Sequence, residues 1–255
     1  IRESCNVFFY NVGIQVGAEE LARFSKLFGL GQKTGISLLN EKEGLVPNDA
    51  WKQSVLKEPW YRGETPPLAI GQGYLNVTPI QVVNMINIVA NRGLWVPPML
   101  YAGQPNEKSV QLSLNQEFLG RILDGMVAVV NETGGTAGSV RNEDFTIAGK
   151  TATSQVVSHE TLESLEEEER EERDLQNHGW FVSFAPAEDP EISVVVLVEH
   201  GGAGSRSAAP KARKILEFYY SEIYLPRMQT QSQPSGISPD FKHSYSFKLA
   251  SSFAR

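Results

Sequence analysis

The sequence predicts an α+β domain with helices packed on an antiparallel sheet. Apolar residues recur at helical spacing through the first half of the chain. After a glycine-rich turn at 133–138 the period changes to short runs rich in Val, Ile and aromatic residues. The order of these segments is helices, then strands, then one last helix.

Taken along the chain, Leu21, Phe24, Leu27 and Phe28 predict one helix from Val7 to about Gly29, with Gly29 as its stop. Residues 30–78 are rich in Gly, Pro, Asn and Thr and predict loops and short turns. Thr78-Pro79 reads as a helix cap and first residue, and Gly93 as a stop, so 80–92 is a buried helix. Asn115 caps the next helix, with Phe118, Leu119, Ile122, Leu123, Met126, Val127 and Val130 as its apolar face. Three strands are expected at 145–157, 180–184 and 192–199, the last two as an antiparallel hairpin. Between the first two lies an acidic segment, 165–174, read as a solvated helix or mobile insertion rather than a partner-binding segment. Pro210 opens an amphipathic helix to about Tyr224. Residues 1–225 thus form the domain, and 226–255 a polar tail with little fixed structure.

Composition narrows the class. Apolar content of 41% and charged content of 21% are those of a globular domain, and the net charge of −7 argues against a nucleic-acid partner. No apolar run reaches the length of a membrane span, and Cys5 is the one cysteine, so no internal disulfide forms. With no His/Cys cluster beside it, Cys5 is expected as a buried thiol rather than a metal ligand. His178, at the start of a strand, is expected to be structural, and His159 and His200 carry no signal. Trp180, Phe181 and Phe184 are expected in the core or a cleft wall.

Two motifs could carry chemistry. Ser4-Cys5-Asn6 is a Ser-x-Asn triplet before a helix, and Lys150-Thr151-Ala152-Thr153 lies on a strand after the glycine-rich turn. Each alone is weak; Ser4 and Asn6 by themselves read as a helix cap and first-turn residue. Together, in this order, they resemble the penicillin-binding protein and serine β-lactamase superfamily, which uses Ser-x-x-Lys, Ser-x-Asn and Lys-Thr-Gly around one cleft. A serine attacks an acyl carbon, and a lysine whose pKa is lowered can take its proton.

The flanking residues narrow the resemblance. Ile70-Gly-Gln-Gly-Tyr-Leu-Asn-Val-Thr-Pro-Ile-Gln81 is similar to the signature of class B penicillin-binding proteins. Lys57-Glu-Pro-Trp-Tyr-Arg-Gly63, His178-Gly-Trp-Phe-Val-Ser-Phe-Ala-Pro186 and Val198-Glu-His-Gly-Gly202 are similar to the elongation-type group. The resemblance implies a peptidoglycan D,D-transpeptidase that is acylated by β-lactams. It implies that Ser4 relays protons and Asn6 orients the acyl amide. Lys150 is then the electrostatic and proton-transfer partner, and Thr151, Ala152 and Thr153 line the substrate carboxylate site. No metal or organic cofactor is implied. The implied partners are peptidoglycan stem peptides, β-lactams, a polytopic glycosyltransferase and elongation-complex proteins. The implied location is the inner membrane, facing the periplasm, through an anchor outside this chain.

Several departures qualify the resemblance. Lys33-Thr34-Gly35 is a literal Lys-Thr-Gly in a loop, and Ser54-Val-Leu-Lys57 is a Ser-x-x-Lys on the wrong side of Ser4; both are read as decoys. The nucleophile motif is therefore expected upstream of Ile1, which leaves the fold incomplete on its N-terminal side and this piece inactive alone. Ala152 stands where the motif has Gly, whose usual role is close backbone approach to a ligand. It motivates a rival reading as a non-catalytic scaffold. A β-lactamase or β-lactam sensor on the same fold is the second rival.

Overall fold

The computed structural model describes residues 1–101, 109–156 and 175–231. The acidic segment 165–174, His159 and residues 232–255 of the tail lie outside these described residues. The chain forms two compact units, Ile1–Glu217 and Phe218–Arg255.

The first unit opens with two helices where the apolar period suggested one. Helix α1 spans Asn6–Val16 and α2 spans Ala18–Leu27. Gly17 divides them, at φ +83°, a conformation that glycine adopts without steric cost. The region expected to be loops contains α3, Asp49–Leu56, a 3-10 turn at Arg62–Glu64 and α4, Thr65–Ala69. These helices are too short for a periodic signal. The Asn48 side chain caps α3 by accepting from the Trp51 N–H.

Helix α5, Pro79–Ala90, matches its expected bounds closely. Thr78 and Gln81 form a reciprocal capping box, and Gly93 ends the run at φ +95°. Gln81 is fully buried, and its amide donates to the carbonyls of Gln32 and Glu43 at 2.7 Å each. This ties the glycine-rich loop to α5. After a short β1/β2 pair, Leu94–Trp95 with Val110–Gln111, comes α6, Gln116–Asn131, capped by Asn115 as expected. Its buried face is Leu119, Met126, Ala128, Val129 and Val130. Phe118 and Ile122 are exposed, because the apolar stripe is wider than the surface α6 covers.

The sheet is antiparallel in the order β3-β4-β5, with β3 at Ala148–Ser154, β4 at His178–Ala185 and β5 at Ile192–Val198. Lys150 stands opposite Val182, and Thr153 opposite Gly179. The hairpin β4–β5 is as expected. The core joins α5 and α6 to the sheet through Val82, Ile86, Val89, Met126, Ala148, Val182 and Phe184. Phe181 and Phe184 are fully buried, and Trp180 packs at the edge of this cluster. A helix at Ala209–Tyr219 passes through a π-helical turn at Tyr220–Tyr224 into a further helix, Leu225–Gln231. Helical backbone thus continues past Pro226, where the polar composition gave no reason to expect it.

Candidate active site

Three elements converge on the edge strand β3. The first is the N-terminal segment. Ile1 lies against Gly125 of α6, where a Cβ would stand 2.9 Å from the Ile1 Cδ1. The Arg2 carbonyl accepts from the Thr136 N–H at 3.3 Å, and its guanidinium pairs with Glu132 at 3.0 Å. These contacts hold Ser4, at φ +52°, beside the strand. A non-glycine residue in that region is a local departure of a kind that clusters at functional sites.

The second is the turn after α6. Gly135 packs on the end of that helix so closely that a Cβ would stand 2.3 Å from the Val129 carbonyl oxygen. Only glycine fits, and the packing sets Thr136 over the strand. The Thr136 and Thr151 hydroxyls share a 2.8 Å hydrogen bond. In the sequence 133–138 reads only as a turn; Gly-Gly followed by a hydroxyl is the one signal there for Thr136.

The third is the loop after α4. Gln72 donates from Nε2 to the Thr153 carbonyl at 2.7 Å and accepts from the Gln155 N–H at 3.4 Å. Helix α4 in turn packs on α1, where Gly13 admits Ala69: a Cβ at 13 would lie 2.3 Å from the Ala69 Cβ. Gln72 lies within the signature-like run 70–81, where nothing in the sequence gives it a role.

At the centre, the Lys150 ammonium donates to Ser4 Oγ at 2.8 Å and to the Thr151 carbonyl at 2.7 Å. Both partners are neutral. Burial, with no offsetting charge, pushes the Lys150 pKa below the ordinary lysine value. A desolvated lysine on a serine hydroxyl is suited to proton transfer and to stabilising nearby anionic charge. Asn6 opens α1 and is exposed, and Ala152 is exposed. Cys5 is exposed at the N-cap of α1, not buried as expected, because the chain turns into α1 at the surface there.

The decoys are engaged elsewhere. The Thr34 hydroxyl donates to Glu41 at 2.6 Å, and the Thr34 N–H to the same oxygen at 2.7 Å, closing the loop on itself. The Ser54 hydroxyl donates to the Trp51 carbonyl, and Lys57 Nζ reaches the Ser54 carbonyl rather than its hydroxyl. His178 Nδ1 accepts from the His200 N–H at 2.9 Å, with the two rings edge to face, a structural arrangement. Among the described residues no cluster of three or more His, Cys, Asp or Glu could hold a metal.

An antiparallel sheet backed by helices thus carries a Ser4–Lys150 pair at the edge of β3. The pattern of the penicillin binding protein transpeptidase domain matches residues 1–217, and the chain belongs to that family. It is 32% identical to the peptidoglycan D,D-transpeptidase MrdA of Haemophilus influenzae, over 92% of this chain and 37% of the relative. It is 36% identical to MrdA of Acinetobacter baumannii, over 85% of this chain and 33% of the relative. Among solved structures, the penicillin-binding protein PBP2 of Helicobacter pylori in complex with MreC superposes with a TM-score of 0.76 at 32% identity. That match covers 88% of this chain and 40% of the other. PBP2 of Pseudomonas aeruginosa in complex with WCK 5153 gives 0.75 at 34% identity, over 86% and 48%. The chain thus spans 33–37% of the length of these two curated relatives.

Proposed function

We propose that this chain is the C-terminal part of a transpeptidase domain whose parent polypeptide is a serine D,D-transpeptidase. The observation that carries this reading is the 2.8 Å contact between Lys150 Nζ and Ser4 Oγ, residues 146 positions apart that meet at the sheet edge. In this reading a serine of a Ser-x-x-Lys motif elsewhere in the parent attacks the penultimate D-Ala carbonyl of a stem peptide. The terminal D-Ala leaves, and an amine of a neighbouring stem resolves the acyl-enzyme. Ser4 relays the proton, with Lys150 behind it. Asn6 orients the acyl amide. Thr151, backed by Thr136, and Thr153 bind the terminal carboxylate, with Ala152 in the strand between them. β-Lactams acylate the same serine.

The relatives' names support this activity, and one neighbour's complex with MreC supports elongation-complex partners for the parent. We place the parent at the inner membrane with this domain in the periplasm. No helix among the described residues is long and apolar enough to cross a membrane.

Covalent labelling by a fluorescent penicillin tests the reading. The comparison is between this chain and a polypeptide extended upstream through a Ser-x-x-Lys. Labelling of the extended form alone, lost in Lys150→Ala, is expected. Failure of a folded extended form to label favours the scaffold reading that Ala152 motivates. Labelling of the chain itself would point to Ser54 as the nucleophile.

A further inference from the structure

Among the described residues, the edge of β3 away from β4 meets no strand and is partly occupied by the Gln72 loop. In the order β3-β4-β5, β3 lies at the end of the sheet, so alternate residues direct their backbone groups away from β4. Gln72 bonds the Thr153 carbonyl and the Gln155 N–H, two residues apart, as a neighbouring strand would. Thr153 therefore faces outward, and its own N–H lies on the same edge. The Thr151 carbonyl is held by Lys150. An extended peptide adding to this edge can accept from the Thr153 N–H. It can donate to the Thr153 carbonyl only where Gln72 yields.

The loop is built to present this side chain. Gly71 and Gly73 both adopt positive φ, +78° and +72°, on either side of Gln72. No Cβ obstacle lies within 4 Å of Gly71, and only Pro67 lies near Gly73, so the glycines serve backbone conformation rather than close packing.

We propose that Gln72 is a latch: its carboxamide competes with the amide N–H of an incoming acyl donor for the Thr153 carbonyl. This rests on the reading of the β3 edge as the acyl-donor site. The latch discriminates between ligands. A penicillin with an acylamino side chain carries an N–H to place on Thr153 and must displace Gln72. A carbapenem, with a hydroxyethyl group in that position, has no amide N–H to place there.

The test measures second-order acylation rates of the parent polypeptide by benzylpenicillin and by a carbapenem, in wild type, Gln72→Ala and Gln72→Ser. Both variants are expected to raise the penicillin-to-carbapenem rate ratio about 2- to 10-fold, the worth of one net hydrogen bond. A ratio within twofold of wild type, or a fall, overturns the latch and makes Gln72 a structural clamp. A wild-type readout stands beside the variants: amide hydrogen exchange at Gln155. Exchange there is expected to speed up after acylation by benzylpenicillin and not after the carbapenem; continued protection in both overturns the proposal. Absence of wild-type labelling by either compound defeats the transpeptidase reading itself, and the latch with it.

Discussion

Lys52 and Lys150 are both withdrawn from water, and their surroundings push them in opposite directions. Lys52, on α3, is 1% exposed and pairs with Glu64, with Glu58 at 3.6 Å and the Tyr61 ring 4.0 Å away. Burial pulls its pKa down, but the hydrogen bond and charge of Glu64, with Tyr74 and Glu58, more than offset this and hold it above the ordinary lysine value. Lys150 meets a hydroxyl and a carbonyl, and burial alone sets its direction, downward. A lysine neutralised by carboxylates is a strut. A lysine left with neutral partners keeps its reactivity, at a cost in stability. The difference separates fold from chemistry without reference to motif spelling.

The largest effect expected is on Lys150. Lys150→Ala in the parent polypeptide should slow penicillin acylation by about 10²- to 10⁴-fold, the range of a positioned acid–base group. Lys52→Met should leave the rate per folded molecule near wild type. Equal losses in the two would erase the distinction.

Stability should show the converse. Lys52→Ala leaves the partly buried Glu64 without its partner, and removing one member of such a pair is strongly destabilising. The urea midpoint should fall clearly. Changing both members, Lys52→Met with Glu64→Gln, should recover much of it. Lys150→Met should hold or raise the midpoint, since it removes a desolvated charge. A fall as large as that of Lys52→Ala would mean that Lys150 is a strut too.

The joint between the two regions offers a smaller perturbation. Glu64 precedes α4, Ser4 precedes α1, and the helices meet at Gly13 and Ala69. Gly13→Ala places a methyl 2.3 Å from the Ala69 Cβ and should cost about 1–3 kcal/mol of unfolding free energy by overpacking. Acylation should slow as Ser4 and Gln72 shift apart. Unchanged stability would show that the helices can part without strain.

How much of this was legible beforehand follows from where each signal lies. The α5 and α6 starts, the β4–β5 hairpin and the Lys150 strand context were readable, because caps and period-2 runs are local. The break at Gly17 was missed because the apolar spacing runs through it; only the glycine itself marked the change of direction. Phe118 and Ile122 were placed on a buried face because their spacing is right, but burial depends on what α6 packs against. Ser4 and Lys150 were paired through the resemblance, and their 2.8 Å contact is a tertiary fact that spacing alone does not contain. Thr136 and Gln72 went unassigned for the same reason: their partners on β3 are 15 and 81 positions away. Lys52 carries no signal in the sequence, because Glu64 and Tyr61 meet it only in the fold.

The finest test of the comparison is the sign of two pH dependences. The folded pKa of Lys52 is raised, so its contribution is complete below about pH 10.4, the unfolded value. It is lost as pH rises through the higher folded value. The folded pKa of Lys150 is lowered. Between that depressed value and about 10.4, the unfolded chain binds the extra proton, so stability rises with pH across this window. Thermal unfolding from pH 8 to 11 of wild type, Lys52→Met and Lys150→Met should resolve both. The wild-type advantage over Lys52→Met should shrink toward the alkaline end. The wild-type deficit against Lys150→Met should shrink as pH rises and level off near 10.4. Slopes of the same sign would mean that Lys150 has an anionic partner in solution, and its claim to the chemistry would then rest on the acylation rate alone.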